Sequence, residues 1–406
     1  MILNTNDFLR AIAQALDFVE IDLFGVATNH SKRIALIALK IGQLKNMSKE
    51  ELFDITSLAM LHDNGASLKI LHDGLRGNTI EKQNLLESRQ EHCIIGEENL
   101  TGFQFKTKPL NVIRYHHENY DGTGFFGKEG DEIPIFSQII NLADKLDLEF
   151  NIKNVSNNPS SVENIIAYVN KYKGKYFSPE VVDVFMCLIE QDTFWHELTD
   201  EAIDHSLKMY MQDFSEEYNY QEIRKMTKTF SKIIDAKSAF TQLHSSGLSE
   251  KVEKLAMYYD FDKDIIEQLL IASDLHDLGK LAVSNAILDK SGTLTEVEFD
   301  EIKNHPRVSK ACLEGIRGFE LIVKWIYQHH EKLDGSGYPQ GLTEENLDFQ
   351  SRLLICLDIY QALTENRPYR GAMDHLSAMN VLHDMAIKKL VDQQIADDIN
   401  ILFATK

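Results

Sequence analysis

The chain has 406 residues, 43 % hydrophobic and 26 % charged, which is enough for two or three domains with real cores. A net charge of −21 argues against a surface built for long nucleic acid, which needs a basic face, yet it admits a small anionic substrate because bound metal ions can reverse the field inside one pocket. No apolar run approaches the ~20 residues that cross a bilayer, and the N-terminus MILNTNDFLRAIAQ lacks a basic n-region, so the expectation is a cytoplasmic protein with no membrane partner.

In chain order the sequence reads as all-α. The first clear helix runs from Leu52 to Leu61. A glycine-rich stretch, DGTGFFGKEGDEIP, reads as a loop. YFSPEVVDVFMCLIE reads as an amphipathic helix opened by Ser178 as N-cap and Pro179 at N1. Trp195-His196 reads as core packing. The acidic stretch Asp213 to Glu222, still helical in pattern, is the expected joint between two domains, 1–212 and 213–406. Asp264 to Leu275 carries apolar residues at 265, 266, 269, 270, 272 and 275, the spacing of one helix face. DGSGYPQGL then reads as a second loop. The four cysteines (Cys93, Cys187, Cys312, Cys356) form no CxxC pair and read as reduced, mostly buried thiols.

The boundaries follow from an internal repeat. His30-Ser31, His62-Asp63, His92, His116-His117-Glu118 and Asp144 recur as His244-Ser245, His276-Asp277, His305, His329-His330-Glu331 and Asp358, at an offset of 213 or 214 throughout. LHDNG matches LHDLG, and YHHENYDGTG matches QHHEKLDGSG. Ten of the 15 histidines fall in this pattern, a regularity that chance placement does not reproduce.

A single buried histidine is more often a core residue than a ligand, and a lone His-Asp dipeptide means little. The repeated set is different, because a duplicated core would preserve aliphatic positions. Histidine and aspartate together hold first-row transition metals. Seven such residues per copy exceed the needs of one tetrahedral zinc and suit two metals sharing a carboxylate. The candidate ligands are His244, His276, Asp277, His305, His329, His330 and Asp358, with a second candidate set in His30, His62, Asp63, His92, His116, His117 and Asp144. Asp277 is the candidate bridge. Adjacent helical residues do not face one way, so the helix is expected to end at His276-Asp277, with Gly279 as its stop. Two adjacent metals lower the pKa of a bridging water and neutralise charge during displacement at a phosphate ester. Lys280 has two readings on spacing: aid to the departing alkoxide, or a surface lysine at a helix C-terminus.

HDLGK, NHP, HHEKLDGSGYPQGL and LDIYQALTENRPYR together resemble the HD-GYP family of bacterial signalling phosphodiesterases, over roughly Thr241 to Arg370. The resemblance implies hydrolysis of cyclic dinucleotides, chiefly cyclic di-GMP, in a helical bundle holding two or three iron or manganese ions. It implies the ligand set above, Lys280 on the phosphate or leaving group, substrate contacts at Gly337 and Tyr338, and Arg367 and Arg370 gripping phosphate or guanine. Arginine suits that task because its planar fork pairs with phosphate in two bonds; a solvated turn is the other reading of the two arginines.

The chain departs from the family pattern in places. Phe240 stands where some members carry a glutamate that adds a third metal, so two metals are expected. Gln361 stands where the family often has aspartate. In the first copy Ala66 replaces Lys280, GTGFF replaces GSGYP, and no RPYR follows Asp144. That copy takes the place of a sensor domain and reads as metal-binding yet weakly or differently active, with a regulatory or dimerising role and hence a homodimer left open. The leading expectation is cyclic di-GMP hydrolysis in the second copy. The alternatives are 3′,3′-cyclic GMP-AMP or a simpler nucleotide as substrate, activity in both copies, and a non-catalytic nucleotide sensor.

Overall fold

The computed structural model describes residues 4–24, 28–66, 90–211, 218–237, 244–290, 292–366 and 371–404. Phe240, Arg367 and Arg370 lie outside them. The chain separates into two compact units, Asn4–Glu216 and Glu217–Lys406. The fold is all-α: among the described residues β geometry is confined to isolated bridges such as Asp334 with Thr343. No described helix is long and apolar enough to cross a membrane.

The first unit is built round the helix His30–Leu44, in which Ile34, Ala35, Leu36, Ile37, Ala38 and Leu39 are all buried. A helix apolar on every side belongs at the centre of a bundle. The helix Lys49–Met60 packs on it, as does Ile135–Phe150. Lys49–Met60 begins three residues before the apolar pattern does, because Ser48 and Glu51 form a reciprocal capping box that satisfies the first free N–H groups. Pro179 opens the helix Pro179–Ile189 as expected of N1, but Ser178 makes no side-chain cap bond. Trp195 is buried against Phe185 and Phe194.

In the second unit the helix Lys263–Leu275 matches the periodic segment to within one residue. It contacts Tyr220–Ala236, His244–Tyr258 and Glu320–Gln328. The expected helical joint is interrupted where it can be described: Asn219 is extended and caps Tyr220–Ala236 in a box with Glu222. The core sets Leu269, Ile271 and Leu275 with Trp325, Ile326, Leu353 and Leu357, each exposed by no more than 1 %.

Helix ends deliver the polar residues into this core. His244 and His305 are the first residues of their helices, His276 and His329 immediately follow the last residues of theirs, and Asp358 projects from Phe349–Thr364. Chain direction changes at such ends, so neighbouring side chains can meet where helical spacing would separate them.

Candidate metal centres

In the second unit two donor groups lie side by side: His244, His276 and Asp358, and Asp277, His305, His329 and His330, the ligand atoms of each group falling within 4.8 Å of one another. Asp277 faces both. Its Oδ2 is 3.1 Å from His276 Nε2, while its Oδ1 is 3.4 Å from His305 Nε2 and 3.9 Å from His329 Nε2. Asp358 spans them more loosely, with Oδ1 3.1 Å from His244 Nε2 and Oδ2 3.9 Å from His330 Nδ1.

The backbone fixes which nitrogen faces inward. His276 Nδ1 lies 2.9 Å from the Ser273 carbonyl, His305 Nδ1 2.7 Å from that of Ile302, and His329 Nδ1 2.6 Å from that of Ile326. A carbonyl only accepts, so each Nδ1–H donates and each Nε2 offers its lone pair to the cluster. His276 Nε2 and Asp277 Oδ1 are buried without a hydrogen-bond partner, as is His62 Nε2 in the first unit. Orphaned buried polar atoms are costly, and these are ligand atoms of the types that take divalent transition metals. The residues present therefore fit such ions.

The electrostatics agree. Burial opposes charge on Asp277, but His276 and Lys280 overcome it and hold the carboxyl well below the usual range. Burial drives His305 down to about 3 and His329 to about 4, so both are neutral donors. Burial also opposes protonation of His244, yet its hydrogen bonds to Asp358 and Glu365 raise it to about 9. Positive charge is thus favoured beside Asp358 and Glu365, and a divalent ion at His244 Nε2 would satisfy the same preference.

The first unit repeats the arrangement. Asp63 Oδ1 lies 3.3 Å from His116 Nε2 and 3.7 Å from His92 Nε2, with Oδ2 3.7 Å from His62 Nε2. Asp144 Oδ1 is 3.3 Å from His30 Nε2, and its Oδ2 is 3.7 Å from His117 Nδ1. The second donor group here includes a thiol: His92, Cys93, His116 and His117. Burial raises the Cys93 thiol, but the adjacent His116 and His92 bring it down to about 7. A cavity of about 360 Å³ opens beside His117, lined also by Phe125, Lys145, Tyr168 and Tyr176.

Lys280 Nζ sits 2.6 Å from Asp277 Oδ2, on the 3-10 turn Leu278–Ala282. Ala66, its counterpart, is buried and offers no charge. Tyr338 lies with its ring 4.9 Å from that of His330, and Phe125 holds the matching place 5.7 Å from His117. A side chain at Gly337 would overlap the backbone of Glu331 and Lys332, so glycine is what lets this loop fold back. Glu331 anchors the loop by accepting from the N–H groups of Gln340 and Leu342, as Glu118 does from Phe126 and Lys128. Gly279 corrects the expectation of a helix stop. It has no positive φ and is needed because a Cβ would overlap the His305 carbonyl, and its N–H donates to Ser309 Oγ at 2.8 Å. Gln361 bonds Lys251 and Glu365 beside His244.

Two residues went unread in the sequence. Glu365 Oε1 lies 2.9 Å from His244 Nδ1, and Asp147 Oδ2 lies 2.6 Å from His30 Nδ1. Their spacings from Asp358 and Asp144 differ, so the repeat does not pair them. Cys93, read from the sequence only as a reduced, buried thiol, stands one place after a repeated histidine, where the second copy has Pro306.

Comparison with known proteins accords with this architecture. The family model described as HD domain matches residues 22–181 and 228–395. A protein named 3′3′-cGAMP-specific phosphodiesterase 1, from Vibrio cholerae, is 30 % identical over 98 % of this chain and 91 % of its own length. A cyclic di-GMP phosphodiesterase from Pseudomonas aeruginosa is 33 % identical over 34 % of each chain. The crystal structure of a V. cholerae cyclic GMP-AMP-specific phosphodiesterase superposes with a TM-score of 0.66 at 22 % identity, covering 100 % of this chain and 99 % of that one, a likeness of fold. With two matched copies, and Gly337-Tyr338-Pro339 in the second, the chain belongs to the HD-domain family and to its HD-GYP branch.

Proposed function

We propose that the chain is a metal-dependent phosphoric diester hydrolase whose substrate is 3′,3′-cyclic GMP-AMP and whose chemistry runs in the second unit. The observation that carries the catalytic reading is Asp277, whose two oxygens face two separate donor groups. The substrate reading rests on the relative named for 3′3′-cGAMP, which aligns along nearly the whole chain, whereas the cyclic di-GMP relative aligns over a third of it. The expectation of cyclic di-GMP from the motifs alone gives way to its alternative.

In this reading His244, His276 and Asp358 would hold one ion and Asp277, His305, His329 and His330 the other, with Asp277 facing both groups. Iron or manganese suits such mixed imidazole and carboxylate sites. A pair of divalent ions, when bound, activates water near neutral pH and neutralises charge on the phosphate. The chain's own groups do the rest. The carbonyls of Ser273, Ile302 and Ile326 keep three imidazoles aimed inward. Asp277 holds Lys280 at the rim, where its ammonium meets the departing alkoxide. Tyr338 walls the cluster beside His330 with an aromatic face suited to a base. Arg367 and Arg370 remain the proposed phosphate contacts. The first unit keeps the ligands without the counterpart of Lys280 and is assigned a regulatory role.

The test is parallel hydrolysis of 3′,3′-cyclic GMP-AMP and cyclic di-GMP by the purified chain with manganese or iron, followed by product chromatography. Preferential loss of the mixed dinucleotide is expected. Preference for cyclic di-GMP would overturn the substrate reading, and turnover of neither would overturn the hydrolase reading.

A further inference from the structure

The two units carry the same histidines but not the same donor chemistry. In the second unit His305 is followed by Pro306, whose side chain has no donor atom; in the first, His92 is followed by Cys93. Cys93 is fully buried, and its sulfur falls in one donor group with His92, His116 and His117. Its Sγ is 3.4 Å from His92 Nε2 and within 4.8 Å of ligand nitrogens of His116 and His117. Asp63 Oδ1 approaches the same imidazoles, 3.3 Å from His116 Nε2 and 3.7 Å from His92 Nε2. The sulfur–nitrogen spacing is close to the roughly 3.6 Å set by metal–sulfur and metal–imidazole bonds meeting at a tetrahedral ion. The other buried cysteines, Cys312 and Cys356, belong to no donor group among the described residues.

We propose that the first unit holds a thiolate-ligated, borderline-soft divalent ion of the zinc class, bound by Cys93 with His92, His116 and His117, while the second unit binds its ions through nitrogen and oxygen only. The assignment rests on the reading of these clusters as metal sites. Thiolate ligands select zinc over manganese, and imidazole with carboxylate does not, so one chain would carry two classes of ion. On binding, the thiol proton is released to solvent and the sulfur lone pair forms the metal bond; no electron is transferred.

Cobalt(II) reports both features at once. The full-length chain, stripped by chelator under anaerobic conditions and titrated with cobalt, is expected to develop visible d–d bands together with a near-ultraviolet thiolate-to-cobalt charge-transfer band. Cys93→Ser should abolish the near-ultraviolet band and keep the d–d bands, while Cys187→Ser should change neither. X-ray absorption on the zinc-loaded wild-type chain, which needs no variant to fold, should show sulfur in the first coordination shell. The d–d bands without a charge-transfer band, a charge-transfer band that survives in Cys93→Ser, or a zinc shell free of sulfur would each overturn the thiolate site while leaving the clusters as metal sites. No cobalt binding at all would overturn that underlying reading as well.

Discussion

Glu365 Oε1 lies 2.9 Å from His244 Nδ1, and the same imidazole presents Nε2 to Asp358 at 3.1 Å. His244 differs here from His276, His305 and His329, whose outer nitrogens are satisfied by backbone carbonyls. A carboxylate behind an imidazole fixes the ring and raises its basicity as a ligand. Glu365→Gln is therefore expected to fold normally and bind metal about 10- to 100-fold more weakly. Competition against a chromophoric chelator measures this, and an unchanged affinity would contradict the positioning role.

Lys280 and Asp277 are separable by experiment although they touch. Lys280 is not a ligand, so Lys280→Met should leave metal content unchanged while turnover falls on the order of 100-fold, the usual scale for a group assisting a leaving oxygen. Elemental analysis and steady-state rates on one preparation decide it. Lost metal, or an unaffected rate, would return Lys280 to the reading of a helix-end lysine.

Gly279 tests how the turn is built. A methyl group there meets the His305 backbone, and overpacking of this kind costs about 1–3 kcal/mol. Gly279→Ala should lower unfolding free energy by that amount, measured by denaturant melts. Gly292→Ala, where a Cβ has nothing within 4 Å, should be close to neutral. Equal effects at both positions would contradict the close-approach argument.

Arg33 carries a comparable load in the first unit. Fully buried, it donates to both oxygens of Asp147 at 2.8 Å. Arg33→Leu leaves the buried Asp147 carboxylate with only His30 Nδ1 and the Ile152 N–H, and should destabilise that unit by up to about 3 kcal/mol, the low end for a broken buried pair. A melting curve unchanged from wild type would contradict it.

What was legible in the sequence followed from duplication. His276 and Asp277 mean little alone, but with His62 and Asp63 at a constant offset they identify a conserved arrangement and, through apolar spacing, the helix ending beside it. What was not legible lies where the two copies diverge or where contact is remote in sequence. Asp147 stands three residues after Asp144, and Glu365 seven after Asp358, so no alignment of the copies equates them, although both orient the first histidine. Gly279 was misread because a helix stop and a close backbone approach both call for glycine, and only the packing of His305 against the turn tells them apart. The base identity of the substrate was likewise hidden, since guanine and adenine differ by a few hydrogen-bonding groups whose protein partners depend on the folded loops.

The central claim is that hydrolysis depends on the carboxylate shared by two donor groups in the second unit. It is tested most directly by comparing metal content and 3′,3′-cyclic GMP-AMP turnover in Asp277→Asn and Asp63→Asn with the wild-type chain. The account predicts that Asp277→Asn loses at least ~100-fold in turnover, the upper range for merely supporting a ligand, together with bound metal. It predicts that Asp63→Asn loses metal from the first unit and keeps most of the turnover. Full activity in Asp277→Asn, or its loss in Asp63→Asn alone, would contradict it.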